Sequence, residues 1–252
     1  MEEFRIIQGS TPNKMNRQGW IPDLIVSHIT EGNFDGAVSW LSSPRSKASS
    51  HFIVAQDGRI TQLVDIKEAA WINGTDKDPT KDNFYGNSLL KIVRERKTNA
   101  NFYSVGIEHE GIHSKTKGKL TDRQFEATIW LHEHIISEIK RIYGTDIILD
   151  REHIVGHYQV DPIRKPFCPG KFFQFDEIIV ALKKKEEEDL MKLEHDWQWN
   201  MLYTTVESLE KKGILTSPEW KEKVKNRTLT VSEATWLNMI VLDRITSEEG
   251  LK

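Results

Sequence analysis

Apolar and polar positions form patterns that predict a β-sheet in the N-terminal two thirds of the chain. The β-branched run LIVSHIT at residues 24–30 predicts a buried strand that ends near His28. The segment SSHFIVAQDGRITQLVD at residues 49–65 places two strand-like runs around an Asp-Gly pair, which type I′ hairpin turns favour. The run YSVGIEHEG at residues 103–111 predicts a further strand.

A helical pattern follows this strand. Thr121 with Gln124 predicts a capping box, and Gly144 predicts the end of the helix. Residues between these signals recur at helical spacing, namely Phe125, Ile129, His132, Ile136, Ile139 and Tyr143. We therefore expect an α/β domain in which one long amphipathic helix packs on a sheet. Residues 72–101 are rich in Asn, Asp, Lys and Gly and predict a long surface excursion.

The composition changes near residue 183, and from there glycine is scarce and helix signals dominate. We expect one domain over residues 1–182 and a small all-α domain over residues 183–252, with a charged helix at 176–194 joining them. Three further helices are predicted from an apolar face within 196–213 and from start signals at Ser217-Pro218 and at Thr230 with Glu233. The core of this small domain is expected to contain Trp197, Trp199, Trp220 and Trp236.

The formal net charge of -3 argues against a nucleic-acid partner, because phosphate binding usually requires a basic surplus. No apolar stretch approaches the roughly 18 residues of a transmembrane helix, so no membrane span is expected. A basic start followed by an apolar run is also missing, and this pattern predicts synthesis in the cytoplasm without a signal peptide.

Cys168 is the only cysteine, so an internal disulfide framework is excluded. This residue is a candidate for a buried apolar residue, a nucleophile paired with His157, or a metal thiolate. His28 ends an apolar strand, and His157 precedes a proline-rich loop that leads to Cys168. These three side chains match a catalytic zinc site, which uses three protein ligands and leaves one position for water.

Most of the other histidines are expected to be structural. Strand alternation places His109 on the core side, whereas Glu108 and Glu110 share the opposite face. His132 lies on the apolar stripe of the long helix, where packing is the favoured role, and His51 is compatible with either role. Surface-type neighbours surround His113, His134 and His195.

The strand segments above, together with AAW at 69–71 and VGHYQVDPIRKPFCPG at 155–170, occur in an order that resembles the type 2 N-acetylmuramoyl-L-alanine amidases. This zinc family includes phage endolysins and peptidoglycan recognition proteins. The resemblance covers roughly residues 20–175 and implies a central mixed β-sheet flanked by helices. It also implies zinc as the cofactor, with ligands His28, His157 and Cys168, and it does not select His153.

The resemblance further implies Glu108 and Lys165 as catalytic residues. Glu110 remains a rival base, because it lies on the same strand face as Glu108. Arg164 competes with Lys165 for stabilising the oxyanion, because two residues separate the lysine from Cys168 where relatives often have one. Ser50 stands where several phage relatives carry a tyrosine.

The substrate implied by the resemblance is peptidoglycan, cut between the lactyl group of muramic acid and L-alanine. Trp71 and Asn73 match the part of the pattern that borders the groove and are predicted substrate contacts, as is Arg164; a core role for Trp71 is the alternative. A further hypothesis is that the C-terminal helices bind a secondary cell-wall polymer, with dimerisation as the competing use.

Two other functional classes stay open at this stage. A non-catalytic peptidoglycan-recognition module would keep the fold, although such relatives typically replace the last metal ligand. A thiol hydrolase would use Cys168 as its nucleophile and leave His28 and Glu108 without roles. The predicted layout of a catalytic domain followed by helices is typical of phage or prophage lysins, which reach the wall through a holin or at lysis.

Overall fold

The computed structural model describes residues 4–249 of the chain. The strands are β1 (Ile6–Gln8), β2 (Lys14–Asn16), β3 (Leu24–Ile29), β4 (Phe52–Val54), β5 (Ile60–Gln62), β6 (Glu68–Ala70), β7 (Ser104–His109) and β8 (Ile154–Gly156). The helices are α1 (Phe34–Ser42), α2 (Lys91–Arg96), α3 (His113–Thr116), α4 (Asp122–Tyr143), α5 (His157–Val160), α6 (Phe175–Asp189), α7 (Asp196–Lys211), α8 (Glu219–Lys225) and α9 (Val231–Glu249). Short 3-10 turns occur at Pro44–Ser46, Tyr85–Asn87 and Ala100–Tyr103.

The main sheet has the strand order β1-β5-β4-β7-β3-β8, and β2 pairs with β6 separately. Strands β4 and β5 are antiparallel, whereas β4, β7, β3 and β8 are mutually parallel where they pair. The predicted mixed sheet flanked by helices is therefore confirmed. Because β7, β3 and β8 are parallel, their carboxyl ends meet at one edge of the sheet.

The hairpin between β4 and β5 is confirmed, but its turn differs from the type I′ form that an Asp-Gly pair favours. Gly58 donates its N–H to the Ala55 carbonyl at 3.1 Å, and Ala55 donates to the Arg59 carbonyl at 2.8 Å. Gly58 has φ of +88° whereas Asp57 is not left-handed, so the loop is a type I turn followed by a left-handed glycine.

Helix α4 covers one face of the sheet through a core of fully buried aliphatic side chains, among them Ile25, Val105, Ile107, Leu131 and Ile135. The predicted cap at Thr121 forms, because its side chain accepts the Gln124 N–H at 3.1 Å. The Gln124 side chain does not complete the box. Its amide instead donates to the Val54 and Glu110 carbonyls at 3.0 and 3.1 Å, which ties the start of α4 to the sheet.

The opposite face is covered by the segment predicted as a surface excursion. Leu90, Val93 and Ala100 are buried there against Leu24 and Val26 of β3. The prediction that residues 72–101 form a surface excursion is therefore wrong in part. The segment is mostly polar, but three apolar residues in and next to a short helix and a 3-10 turn are buried in the core.

Contacts divide the chain into two compact units, and the boundary in the sequence lies between Leu182 and Lys183. The second unit contains α7, α8 and α9, and Thr230 with Glu233 forms the predicted reciprocal cap of α9. Trp199 is buried in its core, but Trp197 is 60% and Trp236 49% exposed, so the prediction of a core built from all four tryptophans is wrong. Among the described residues, no helix has the length and apolarity needed to cross a membrane.

The buried His132 makes the stability of this fold sensitive to acid. Its Nδ1 lies 2.7 Å from the Thr128 carbonyl oxygen, and burial lowers its pKa to about 4. Below an unfolded pKa of roughly 6.5, the unfolded chain binds a proton that the folded chain does not, so stability falls as pH drops from 6.5 toward 4.

We expect His132→Leu to remove this contribution, which is about 1.4 kcal/mol per pH unit over that window. Urea unfolding of both metal-free proteins at pH 7, 5.5 and 4.5 measures it. The comparison is between the pH dependences of the two free energies of unfolding, because the substitution also changes packing, and with it the stability, at every pH. Parallel pH profiles for the two proteins would contradict the assignment.

Candidate active site at the carboxyl edge of the sheet

Three neighbouring strands place three of the predicted site residues in a row. In the parallel pairing of β3 with β7, His28 lies opposite Glu108. Ser27 pairs with Gly156 of β8, so the next residue, His157, comes level with His28. Alternation then points the three side chains to the face away from α4, at the edge where α/β proteins commonly bind ligands.

The proline-rich loop that follows α5 brings Cys168 to this row. The Cys168 carbonyl accepts the Tyr158 N–H at 2.9 Å, and the Cys168 N–H donates to the Lys165 carbonyl at 3.2 Å. The thiol sulfur lies 3.9 Å from His28 Nδ1, and the ring centroids of His28 and His157 are 4.4 Å apart. The potential ligand atoms of His28, His157 and Cys168 all lie within 4.8 Å of one another.

The state of these side chains fits a metal ion. Burial holds the pKa of His28 well below its usual range and lowers the pKa of His157 to about 3, so both imidazoles are neutral. Neither His28 Nε2 nor His157 Nε2 has a hydrogen-bond partner among the described residues. Two neutral imidazoles and a sulfur form a donor set that zinc prefers.

Glu108 is the buried carboxyl next to these donors. Burial raises its pKa to about 7, Lys165 opposes this shift, and the exposed Glu31 adds to it. Its Oε2 has no hydrogen-bond partner in the described part of the chain. The rival Glu110 is engaged elsewhere, because its Oε2 accepts the Gln56 N–H at 2.7 Å.

Two cations border the site, and only one is held by the protein. The Arg164 guanidinium binds the buried Asp161 at 2.5 Å and donates to the Gly74 carbonyl at 3.0 Å. Lys165 is exposed and forms no ion pair with any other described residue, although its charge acts on His28, Glu108 and His157. The Lys165 ammonium is therefore available to contact a substrate, whereas Arg164 stabilises the position of the loop that contains both residues.

The two predicted groove residues differ in position. Trp71 is 36% exposed and remains a candidate substrate contact. Asn73 is 1% exposed and donates to Ser104 Oγ at 2.9 Å, so a substrate cannot reach it in this structure. Its side chain also lies close to the His28 ring, although its Oδ1 has no hydrogen-bond partner among the described residues.

Three further histidines make contacts outside the cluster. His153 Nδ1 lies 2.7 Å from Asp150 and stays outside the cluster. His51 is buried beside the Arg17 guanidinium at 3.0 Å, which gives it a structural role. His109 is buried against Phe173, as expected from the strand alternation.

An open cleft of about 240 Å³ leads to Cys168. Its lining residues that were not singled out as functional from the sequence are Ile29, Glu31, His113, Pro166 and Phe167. Glu31 and His113 follow the carboxyl ends of β3 and β7 by a few residues, and that position is the signal that identifies them. The His113 ring stacks on Phe167 with the centroids 5.6 Å apart.

Neutral imidazoles, a thiol and a buried carboxyl at a sheet edge define the kind of site that metal-dependent hydrolases use. The chain belongs to the N-acetylmuramoyl-L-alanine amidase family, whose sequence model matches residues 17–171. The resemblance drawn from the sequence segments is thus confirmed at the level of the family.

Two curated relatives carry amidase names. The chain is 24% identical over 160 residues to N-acetylmuramoyl-L-alanine amidase A of Achromobacter lyticus, which covers 59% of this chain and 76% of that protein. It is 28% identical over 137 residues to 1,6-anhydro-N-acetylmuramyl-L-alanine amidase AmpD of Haemophilus influenzae, covering 54% of this chain and 60% of the relative.

One solved structure that matches the chain is the N-acetylmuramyl-L-alanine amidase AmiD from E. coli in complex with its substrate, anhydro-N-acetylmuramic acid-L-Ala-D-γ-Glu-L-Lys. It is 21% identical, has a TM-score of 0.47, and covers 79% of this chain and 66% of that chain.

The Cys168 thiol gives a direct test of the site in the metal-free protein. Burial and the neighbouring Glu108 raise the pKa of Cys168 to about 12, so the unreactive thiol form dominates at neutral pH. We expect alkylation by iodoacetamide at pH 8 to be about a thousandfold slower than for the urea-unfolded chain, in line with a thiolate pKa near 8.5 there. Mass spectrometry reads the single cysteine without ambiguity; rapid labelling of the folded protein would indicate an activated nucleophile.

Proposed function

We propose that the chain is a zinc-dependent N-acetylmuramoyl-L-alanine amidase that hydrolyses the amide between the muramic acid lactyl group and L-alanine of peptidoglycan. The observation that supports this most is the cluster of His28, His157 and Cys168 within 4.8 Å, with the buried carboxyl of Glu108 in register beside it. The family and the names of the relatives supply the substrate class.

His28, His157 and Cys168 would hold the zinc ion, which supplies Lewis acidity that activates water near neutral pH and polarises an amide carbonyl. Glu108 acts as the base that accepts the proton of the attacking water and returns it to the departing amino group of L-alanine. Its raised pKa of about 7 suits both transfers. Lys165 stabilises the negative charge that develops on the carbonyl oxygen.

The two other functional classes have less support. A thiol hydrolase requires a thiolate, but burial raises the pKa of Cys168 and the neighbouring imidazoles are neutral. A non-catalytic recognition module has no use for a buried carboxyl with a pKa near neutrality beside three ligand atoms. Hydrolysis through metal-activated water uses all of these groups.

The proposed activity is tested with purified cell walls and with soluble muropeptides as separate substrates. We expect one zinc per chain, release of new L-alanine amino termini, loss of activity in chelator and recovery with added zinc. Cys168→Ser should lose both the metal and the activity, because a hydroxyl is a poor replacement for a zinc thiolate.

The choice of substrate in the same experiment separates two roles within the family. Clearing of intact walls supports our proposal of a lysin-type enzyme that is made in a bacterial cytoplasm and meets the wall through a holin or at lysis. Cleavage of soluble fragments alone would point to a recycling enzyme. A metal-free wild type that binds walls without cutting them would overturn the amidase proposal.

Glu108→Gln tests the proton transfer. We expect kcat to fall by about 10²- to 10⁴-fold, the usual range for loss of a general base, with zinc content unchanged. Glu110→Gln is the matched control, because it removes a charge from the same strand face. The side-chain carbonyl oxygen of the introduced glutamine can still accept the Gln56 N–H. Equal losses in the two variants would remove the special role of Glu108.

The C-terminal helices are proposed to bind a cell-wall polymer. Large apolar side chains on α7 and α9 are exposed in pairs about one helical turn apart, Trp197 with Met201 and Trp236 with Met239. A soluble domain seldom exposes such side chains together unless they serve a contact. Dimerisation is the competing use of the same side chains.

Sedimentation of the full chain with purified walls tests this proposal. We expect the double variant Trp197→Ala, Trp236→Ala to bind walls several-fold more weakly while cleaving soluble muropeptides at the wild-type rate. Trp40→Ala is the control, because Trp40 is a comparably exposed tryptophan (56%) in the first unit. If the double variant keeps wall binding but changes the sedimentation equilibrium of the protein, the helices mediate self-association instead.

A further inference from the structure

A second cavity lies beside the candidate active site. Its volume is about 570 Å³, more than twice that of the cleft at Cys168. The two spaces share His113, Pro166 and Phe167 as a common wall. A ligand that extends from the cleft into this side cavity would pass the stacked rings of His113 and Phe167.

The side cavity is attached to the metal-binding residues through the chain itself. Tyr158 follows His157 directly, and Phe167 precedes Cys168. The Tyr158 N–H bonds to the Cys168 carbonyl at 2.9 Å and links these two walls. These two walls of the cavity therefore have a fixed position relative to His157 and Cys168.

Close backbone packing holds the two segments that form the rim of the cavity against each other. Gly118 and Gly170 both have positive φ and pack backbone to backbone, so a Cβ on Gly170 would lie 2.2 Å from the Lys117 carbonyl oxygen. The Phe172 N–H bonds to that same carbonyl at 2.9 Å. These contacts position Lys117 and Lys171 on the rim without involving their ammonium groups.

The lining chemistry favours an anionic ligand with apolar parts. Its apolar walls are Tyr158, Pro166, Phe167, Phe173 and Phe175, and its charged lining residues are Lys117 and Lys171, with His113 between the two spaces. No carboxylate lines the cavity, and neither lysine forms an ion pair with another described residue, although the Lys171 ammonium lies 4.7 Å from the centroid of the Phe172 ring. Such lysines attract carboxylates at modest strength because they are exposed.

We propose that this side cavity binds the carboxylate-bearing part of the stem peptide and so favours substrates with a free anionic peptide. The inference rests on the proposed amidase function. In such a substrate the carboxyl of muramic acid is consumed in the scissile amide, so the sugar side carries no charge. The peptide side does, since γ-linked glutamate keeps a free α-carboxylate, as in the substrate named for AmiD.

A stem peptide is long enough to reach from the cleft into a neighbouring cavity. Peptide residues span at most about 3.3–3.6 Å each, so the glutamate and the residue after it lie roughly 5–12 Å beyond the scissile bond. A cavity that begins at the wall of the cleft is within that reach. Lys117 and Lys171 would then determine specificity, while Glu108 and Lys165 carry out the chemistry.

The experiment compares two soluble substrates that differ only in charge. One is N-acetylmuramoyl-L-Ala-D-γ-Glu-L-Lys, and the other carries carboxamides in place of both peptide carboxylates. We expect the double variant Lys117→Met, Lys171→Met to lose about tenfold in kcat/KM on the charged substrate, roughly threefold for each exposed contact. Its kcat/KM on the amidated substrate should stay within twofold of the wild type. Methionine preserves the apolar stem of lysine.

Lys115→Met is the matched control, because Lys115 lies on the same short helix, α3, as His113 but does not line the cavity. Zinc content and circular dichroism of each variant establish that the site and fold are intact. A wild type that cleaves neither substrate would refute the amidase function, whereas a failure of the present inference leaves cleavage in place.

Three results would overturn the inference while the amidase function stands. One is a wild type without preference for the charged substrate, and another is a double variant that loses equally on both substrates. The third is a double variant that cleaves both like the wild type but no longer sediments with teichoic-acid-containing walls, which would assign the lysines to an anionic wall polymer.

Discussion

The parallel register of β3 between β7 and β8 is the constraint on which the site depends. It sets His28 opposite Glu108 and level with His157 at the edge where all three strands end. Since side chains alternate between the faces of a strand, a slip of one residue would replace His28 by Ser27 or Ile29 and turn the imidazole toward α4. The aliphatic residues of β3 stabilise this register because they are buried in the cores on both faces of the sheet.

Burial at this edge has a common effect on every group of the site. It keeps the imidazoles of His28 and His157 neutral, keeps Cys168 as a thiol, and raises the pKa of Glu108. Each unpaired polar atom held away from water costs about 1–3 kcal/mol, so the arrangement destabilises the fold locally. The packed cores on both faces of the sheet offset that cost.

The loop from Asp161 to Gly170 connects the functional parts of the first unit. Arg164 ties it to the buried Asp161 and to the Gly74 carbonyl on the neighbouring segment, and Gly170 locks its far end against Gly118. Between these anchors the loop brings Cys168, the proposed metal ligand, and the exposed cation Lys165 to the cleft. It also supplies Phe167, the wall between the cleft and the side cavity.

Apolar periodicity and local motifs were enough to predict the α/β class, the strands around His28 and Glu108, the long helix, and the grouping of His28, His157 and Cys168, because such patterns encode elements and their ends. The folded chain added what depends on contacts between distant residues. It placed Glu110 on the Gln56 amide, Asn73 on the Ser104 hydroxyl, Arg164 on the Gly74 carbonyl, and Leu90 with Val93 in the core. Burial and partner choice arise from residues far apart in the chain, and local patterns carry no record of them.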